Sequence, residues 1–293
     1  MIYNYFEYQA KIIRTKFVSD KAYLTKRFIC KLGYTPNFCS PKSFNEKVTA
    51  RMIFERSPLF TKLADKCAVR QLVSAKVGDA YFVPLIGIYK CIDEIDFNQL
   101  PNQFVLKCTH DSGSAMVCLD KSTFNIEKAT AKIKNHLKMN MYFRKREWHY
   151  KDICPKVLVE QYVELYVDPA SQFTITTCRV HCFEGRPEYL EIDVQDDQGN
   201  DYSNIYDTQW ALQPFRVDLK DNSPSTIATP KQLEDIIKLS EKLCLAYGYS
   251  RVDFLLSQDH VYFSEITLTP NAGRMVITPV EWDLKLGSLW LSY

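Results

Sequence analysis

The stretch "RVDFLLSQDHVYFSEITLTP", Arg251 to Pro270, constrains the fold more than any other part of the chain. Two apolar runs of alternating pattern flank a short polar turn, the signature of a β-hairpin. Val252, Phe254 and Leu256 fall on one face of the first strand, and Arg251, Asp253 and Leu255 on the other. A turn Gln258-Asp259-His260 places Asp253 and Glu265 six residues either side of its centre. In a regular three-residue hairpin the two side chains then stand opposite each other, with Cβ atoms about 5 Å apart. Like charges there repel, and burying them is costly unless a cation or a proton intervenes. Two readings follow from the hairpin alone. Either a divalent metal lies between the acids, or a bulge shifts the register and leaves both solvated on an exposed face.

Composition narrows the class. At 293 residues the chain has room for one large domain or two or three small ones. A hydrophobic content of 46% with 25% charged residues is that of an ordinary soluble globular protein. No apolar run approaches the roughly 18 residues of a membrane span. The opening "MIYNYFEYQAKIIRTKF" lacks the uninterrupted apolar core of a secretory signal. Ten cysteines occur without a C-x-x-C pair, so reduced, mostly buried thiols in a cytosolic protein are expected, and no zinc site. Charge is uneven: the first sixty residues hold eleven Lys and Arg against four acids, a net +7, which leaves −5 for the rest of a chain whose total is +2. This basic segment, with Tyr3, Tyr5, Phe6, Tyr8 and Phe17, suits an anionic membrane surface or an acidic substrate, or is a solvated helix face. The near-neutral total argues against a nucleic-acid partner.

Along the chain, residues 1–56 read as helical, with a Ser-x-x-Glu capping box at Ser43. Leu59 to Gly78 reads as a further amphipathic helix. Strand patterns follow in "YFVPLIGIY", in "FVLKCTHDSGSAMVCL" (two strands around a small-residue loop), in "KVLVEQYV" and in "TITTCRVHCFEGRPEYLEIDVQ". "TPKQLEDIIKLSEKLCLAYG" is a helix capped by Thr229, started by Pro230 and ended by Gly248. The pattern predicts an α+β chain with a largely antiparallel sheet. Three segments are expected: a basic helical region 1–58, a part 59–155 carrying the small-residue loop, and a part 156–293 carrying the Asp/Glu hairpin.

Two further constellations carry chemistry. Lys107 sits in an apolar strand that leads into Thr-His-Asp-Ser-Gly-Ser, where Ser112, Gly113 and Ser114 allow backbone N–H groups to approach phosphate oxygens. The glycine spacing and closing Lys-Ser/Thr of a Walker A loop are absent. A hairpin with an exposed lysine explains the same residues. In "VLVEQYV", Glu160 interrupts another apolar strand, where backbone groups beside an acid suit an adenine ring.

The order of these features resembles the ATP-grasp superfamily. "FNEK…R", "LADK..VR", "FVLK..H.SG", "REW.Y", "VLVEQYV" and "RVDF…YFSEITLTP..G" together resemble its TupA-like branch, associated with bacterial surface polysaccharide and teichuronopeptide synthesis. The likeness runs from about Ser43 to Gly287. It implies an ATP-grasp fold and magnesium ions, held by Asp253 and Glu265, that bridge the phosphates of ATP. Thr267 stands where most ATP-grasp ligases have Asn, and the likeness implies that Thr267 and Asn271 complete the metal site. Lys66 and Lys107 would grip the phosphates, with Thr109 to Ser114, including His110, Ser112, Gly113 and Ser114, as a flexible lid. Glu160, Gln161, Tyr162 and Val163 would form the adenine linker, and Asp168 a ribose contact. Arg251 and Arg179 would stabilise developing negative charge. The implied activity is an ATP-dependent carboxylate–amine ligase that joins an amino acid to a hexuronic acid of a capsule, O-antigen or cell-wall glycan through an acylphosphate. Arg144, Lys145, Arg146 and Trp148, in "YFRKREWHYK", are the candidate grip on the acidic sugar, a solvated helix end being the alternative. A cytoplasmic protein is expected, with peripheral contact at the inner membrane surface. A glycosyltransferase, with "DVQDD" (Asp193 to Asp197) as a distant metal motif, and a non-catalytic nucleotide-binding module are the rivals.

Overall fold

The structure, a computed structural model, describes residues 5–292, so Tyr3 of the basic segment lies outside the described residues. Its helices are α1 (Tyr5–Phe17), α2 (Asp20–Leu32), α3 (Phe44–Phe54), α4 (Pro58–Ala64), α5 (Ala68–Val77), α6 (Ile126–Leu137), α7 (Met141–Lys145), α8 (Leu233–Leu243) and α9 (Glu281–Leu289). The strands are β1 (Leu85–Tyr89), β2 (Phe104–Cys108), β3 (Met116–Cys118), β4 (Val157–Gln161), β5 (Thr174–Phe183), β6 (Arg186–Gln195), β7 (Asp201–Asp207), β8 (Arg216–Val217), β9 (Tyr249–Leu256), β10 (Val261–Thr267) and β11 (Ile277–Thr278). The strands pair antiparallel, as the α+β expectation had it. Among the described residues no helix is long and apolar enough to cross a membrane. All ten cysteines are free thiols, but only five of them are buried.

The chain divides into two compact units, Met1–Tyr23 with Arg56–Leu72 and Phe82–Val163, and Leu24–Glu55 with Val73–Tyr81 and Glu164–Tyr293. Each unit draws on all three of the sequence segments. In the first, a four-stranded sheet of order β1-β4-β2-β3 packs α6 against one face, where Ala129 and Ile133 meet Phe104, Leu106, Val157 and Val159 in the core. In the second, a five-stranded sheet of order β10-β9-β5-β6-β7 has two unlike faces. Cys178, Val180, Leu190, Ile192, Val252 and Phe254 are all fully buried on one face, and α8 packs on β5, β6 and β9. The opposite face of the same strands carries Arg179, Glu191, Asp193, Arg251 and Asp253, which belong to the candidate site described below.

Several element boundaries differ from the sequence reading. The Ser43–Glu46 capping box forms, but the helical region ahead of it is interrupted between α2 and α3. The expected helix over 59–78 is two helices. Asp65 accepts the Cys67 N–H at 2.8 Å, and the Lys66 N–H leaves the helix to donate to the Thr109 carbonyl at 3.0 Å. Helix α8 begins at Leu233 rather than Pro230, because Pro230 to Leu233 forms a tight turn and the Gln232 amide donates to the carbonyls of Ser257 and Gln258.

Helix α3 is buried on every side, although much of it is polar. Its side chains act as ties within the second unit. Asn45 exchanges two hydrogen bonds with the Met275 backbone, Lys47 donates to the Trp290 carbonyl at 2.5 Å, and Arg51 donates to the Tyr249 carbonyl at 2.5 Å. Burial holds the Lys47 amine below its ordinary value. The turn after β10 locks against the same helix. Asn271, Ala272 and Gly273 have left-handed φ of 49°, 51° and 68°, and a Cβ on Gly273 would lie 2.1 Å from Thr49 Oγ1 and 3.0 Å from the Thr49 nitrogen. Gly273→Ala therefore combines a left-handed strain with overpacking, and is expected to cost about 3 kcal/mol. The check is the urea midpoint of the variant, and an unchanged midpoint would show that α3 yields easily.

Candidate active site

In the first unit β2 and β4 deliver a lysine and a glutamate to one face of the sheet. Val105 is directly opposite Glu160, so Lys107, two residues further along β2, shares that face. Its Nζ lies 2.5 Å from Glu160 Oε2, and Arg70 Nη1 of α5 reaches Oε1 at 3.3 Å. Two cations thus converge on one buried carboxylate and leave a local excess of positive charge. The loop after β2 is held at both shoulders and open at its tip. Thr109, His110, Asp111 and Ser114 are buried, and only Ser112 and Gly113 are exposed. Ser114 Oγ accepts the Cys108 N–H at 2.8 Å and donates to Asp111 Oδ1 at 2.6 Å, while His136 Nδ1 bonds Asp111 Oδ2. Lys66 Nζ donates to the Asp111 carbonyl at 2.6 Å, which fixes the lysine beside the loop. Burial acts to raise the Asp111 carboxyl, but the bonds from His136 and Ser114 prevail and hold it below its ordinary value. Burial also pushes the Cys108 thiol up to about 12 and Cys67 to about 11, so neither supplies a thiolate nucleophile at neutral pH.

In the second unit the polar sheet face carries a row of directly opposed residues, Glu265, Asp253, Arg179 and Glu191, across β10, β9, β5 and β6. The facing of Glu265 and Asp253 arises by an unexpected route. The turn runs over Ser257 to His260, closed by the Ser257 N–H to the His260 carbonyl at 3.0 Å, and pairs Phe263 with Phe254. Left alone, that register puts Glu265 on the apolar face. A bulge at Ser264 shifts it by one residue and brings Glu265 opposite Asp253.

Arg251 holds Asp253 in a two-bond clamp, Nε to Oδ1 at 2.7 Å and Nη2 to Oδ2 at 2.6 Å, and also donates to Thr267 Oγ1 at 3.1 Å. Arg179 bridges Glu191 Oε1 at 2.6 Å and Asp193 Oδ2 at 2.7 Å, and Lys220 reaches the same Asp193 oxygen at 3.0 Å. His181 Nε2 lies 3.1 Å from Glu191 Oε2, and the Tyr249 hydroxyl 2.9 Å from His181 Nδ1. The neutral Nε2–H tautomer satisfies this chain, because Nδ1 then accepts the tyrosine proton. Burial raises the Asp253 carboxyl above its ordinary value; the Arg251 clamp opposes this and Glu265 adds to it. Glu191 goes the other way. Burial alone would raise it, but His181 and Arg179 hold it far below the usual carboxylate range.

The donor set suits magnesium. Magnesium is bound by one or two carboxylates together with substrate phosphates and water, rather than by an all-protein cage. Asp253 and Glu265 face each other with Thr267 beside them. No group of three or more His, Cys, Asp or Glu forms a cage among the described residues, which the two-carboxylate arrangement does not require. Nearby, Asp193 Oδ1 is buried without a hydrogen-bond partner, an acceptor that a ligand group or water could satisfy.

Other expected site residues are placed elsewhere. The carboxylate of Asp168 is 0% exposed and accepts from Ser171 Oγ and the Ala170 and Ala228 N–H groups, so it staples a turn and does not face a ribose. Asn271 is exposed, and its amide donates to Asp218 rather than joining the metal pair. Arg146 and Trp148 form no open sugar platform. Arg146 is 2% exposed and bonds Asp20 at 2.6 Å, while Trp148 is 9% exposed and stacks on Phe60. Arg144 Nη1 turns to Met141 Sδ at 3.6 Å, and Lys145 is half-buried. Gln161, Tyr162 and Val163 follow Glu160 where β4 ends, with the Gln161 N–H donating to the Pro84 carbonyl at 3.0 Å.

Glu191 and His181 were missed by the sequence reading, although "EYLEIDV" has the same apolar–acidic alternation that singles out Asp253. Arg70 and Asp111 lie inside the quoted motifs "LADK..VR" and Thr109 to Ser114 without being singled out, and His136 and Lys220 carry no such signal. In the sequence Asp193 stands out only as part of "DVQDD". Its Oδ2 is held by Arg179 and Lys220, and Asp196 caps the turn at Gln198 and Asn200 instead of pairing with Asp193.

The family model described as TupA-like ATPgrasp matches residues 46–291. The chain belongs to the TupA-like ATP-grasp family, and its antiparallel α+β architecture is an ATP-grasp fold, as the motifs implied. No curated protein matches the chain. Solved structures similar to it include the ATP-grasp ligase PsnB in complex with a phosphomimetic variant of its minimal precursor, Mg and ADP, at 10% identity and TM-score 0.40, covering 73% of this chain and 52% of that one. D-alanine–D-alanine ligase from Bacillus anthracis complexed with ATP matches at 12% identity and TM-score 0.37, over 71% of this chain and 54% of that one. A RimK domain protein ATP-grasp from Sphaerobacter thermophilus matches at 15% identity and TM-score 0.39, over 84% of this chain and 70% of that one. The chain thus spans about half the length of the first two.

Proposed function

We propose that this chain is an ATP- and magnesium-dependent ligase that joins an amine to a carboxylate. The observation that carries the reading is the opposed pair Asp253–Glu265 on a charged sheet face, in a chain of ATP-grasp family. Asp253 and Glu265 would hold the metal, which would neutralise phosphate charge. Lys107 and Lys66 are assigned to the phosphates. Because the Glu160 carboxylate is held by Lys107 and Arg70, recognition of the base falls to the backbone of Tyr162 and Val163.

In the reaction, a carboxylate oxygen takes the terminal phosphoryl group and ADP leaves. The amine then attacks the acyl carbon, phosphate departs, and the amine loses a proton. No protein nucleophile is needed, which accords with the raised thiols of Cys67 and Cys108. Arg179, in the charged row, and Arg251, beside it on the same face, are assigned to charge that builds up in transit. The family's association with surface polysaccharide supports a hexuronic acid as the carboxylate and an amino acid as the amine. Peripheral contact with a membrane surface belongs to the same proposal.

The test is a panel of amino acids against uronic acids, with ATP and magnesium, read as ADP and phosphate release and as amide mass. A nucleoside diphosphate released from a sugar donor, or no turnover with any pair, would overturn the reading. For the nucleotide, Lys107→Met removes a charge-assisted contact, and ATP affinity by calorimetry is expected to fall about tenfold to a hundredfold. Unchanged affinity would place the phosphates elsewhere.

A further inference from the structure

We propose that α1 is a docking helix that lies in the interface of an anionic lipid bilayer. The inference rests on the membrane contact proposed above and is independent of the ligase chemistry. Helix α1 has two apolar faces. One is turned inward: Tyr8 is buried, its hydroxyl accepts the Asn140 N–H at 2.8 Å, and α1 packs on α7. The other face is exposed. Phe6 is 79% exposed, Ile13 55% and Phe17 82%, and Ala10 is exposed with them. Positions 6, 10, 13 and 17 recur at the spacing of a single helical stripe, about 16 Å long. Two phenylalanines this exposed on one line are not scattered surface residues, and they form a continuous apolar patch.

Charge selects the occupant. Arg14 and Lys16, both exposed, project on opposite sides of the stripe, where their heads can meet lipid phosphates while their stems follow the apolar face. The acid of this helix, Glu7, is paired with Lys11 at 2.9 Å. Apolar rings rimmed by cations match the boundary between acyl chains and anionic headgroups. A second copy of α1 would instead set Arg14 and Lys16 against identical cations, which disfavours self-association.

The experiment is co-sedimentation of the full chain with phosphatidylcholine vesicles, with and without phosphatidylglycerol, at low and high salt. The wild type is expected to bind the phosphatidylglycerol vesicles and to be weakened by salt. The double variant Phe6→Ser/Phe17→Ser should lose about a hundredfold in partition coefficient, with its circular dichroism unchanged because neither ring belongs to the buried core. Arg14→Glu/Lys16→Glu should abolish the preference for the anionic lipid. Failure of the wild type to bind any vesicle would remove the membrane contact altogether. If the wild type binds and Phe6→Ser/Phe17→Ser binds equally well, membrane contact stands and α1 is not its site. A wild-type dimer in sedimentation velocity that the same variant converts to monomer, without vesicle binding, would make the stripe a protein interface and overturn the proposal.

Discussion

Glu265→Gln is expected to reduce ADP release on the order of a thousandfold while leaving the fold intact. Glutamine keeps the size of the side chain at a half-buried position, so packing against β9 survives. What changes is the charge available to a cation. With Glu265 neutral, the sole acid left of the pair is Asp253, whose two oxygens are already clamped by Arg251. Magnesium affinity should fall in parallel, measured by calorimetry or by manganese binding in the absence of turnover. Asp253→Asn should be as inactive but less informative, because it strands Arg251 as a partly desolvated cation and costs about 3 kcal/mol of stability besides. Near-wild-type turnover of Glu265→Gln would remove the metal assignment.

The second large effect concerns stability and pH. Glu191 is buried between Arg179 and His181, which hold its carboxyl far below the ordinary value of 4.5 against the opposing effect of burial. A carboxyl depressed on folding binds its proton more readily in the unfolded chain. Its contribution is therefore complete above pH 4.5 and is lost as the pH falls from there toward the folded-state value. Glu191→Gln removes one partner of a buried network, leaving Arg179 with Asp193 and His181 without its acceptor charge, at an expected cost of about 3 kcal/mol at neutral pH. The gap between wild type and variant should then narrow as the pH drops below 4.5, read from urea unfolding at a series of pH values. Parallel curves would mean that Glu191 is not the depressed group.

Features that depend on near neighbours were legible in the residues alone. Alternation of period two set Asp253 on the face of Arg251 and away from Phe254, and the strand pattern around Lys107 and Glu160 placed both on sheet. The Ser43–Glu46 capping box needs only four consecutive residues, and it forms as read. The order of six short motifs was enough for the family. Long-range packing decided the rest. The facing of Glu265 and Asp253 depends on a longer turn offset by a bulge at Ser264, two compensating departures that leave no mark in an apolar–polar pattern. Arg144 to Trp148 read as a basic surface cluster, yet Arg146 is buried by Asp20, 126 positions away, and Trp148 by Phe60. Asp168 looked available for a ligand until the loop at Ala228 closed on it. A charged side chain shows its burial only through the partner that makes burial tolerable, and these partners come from distant parts of the chain.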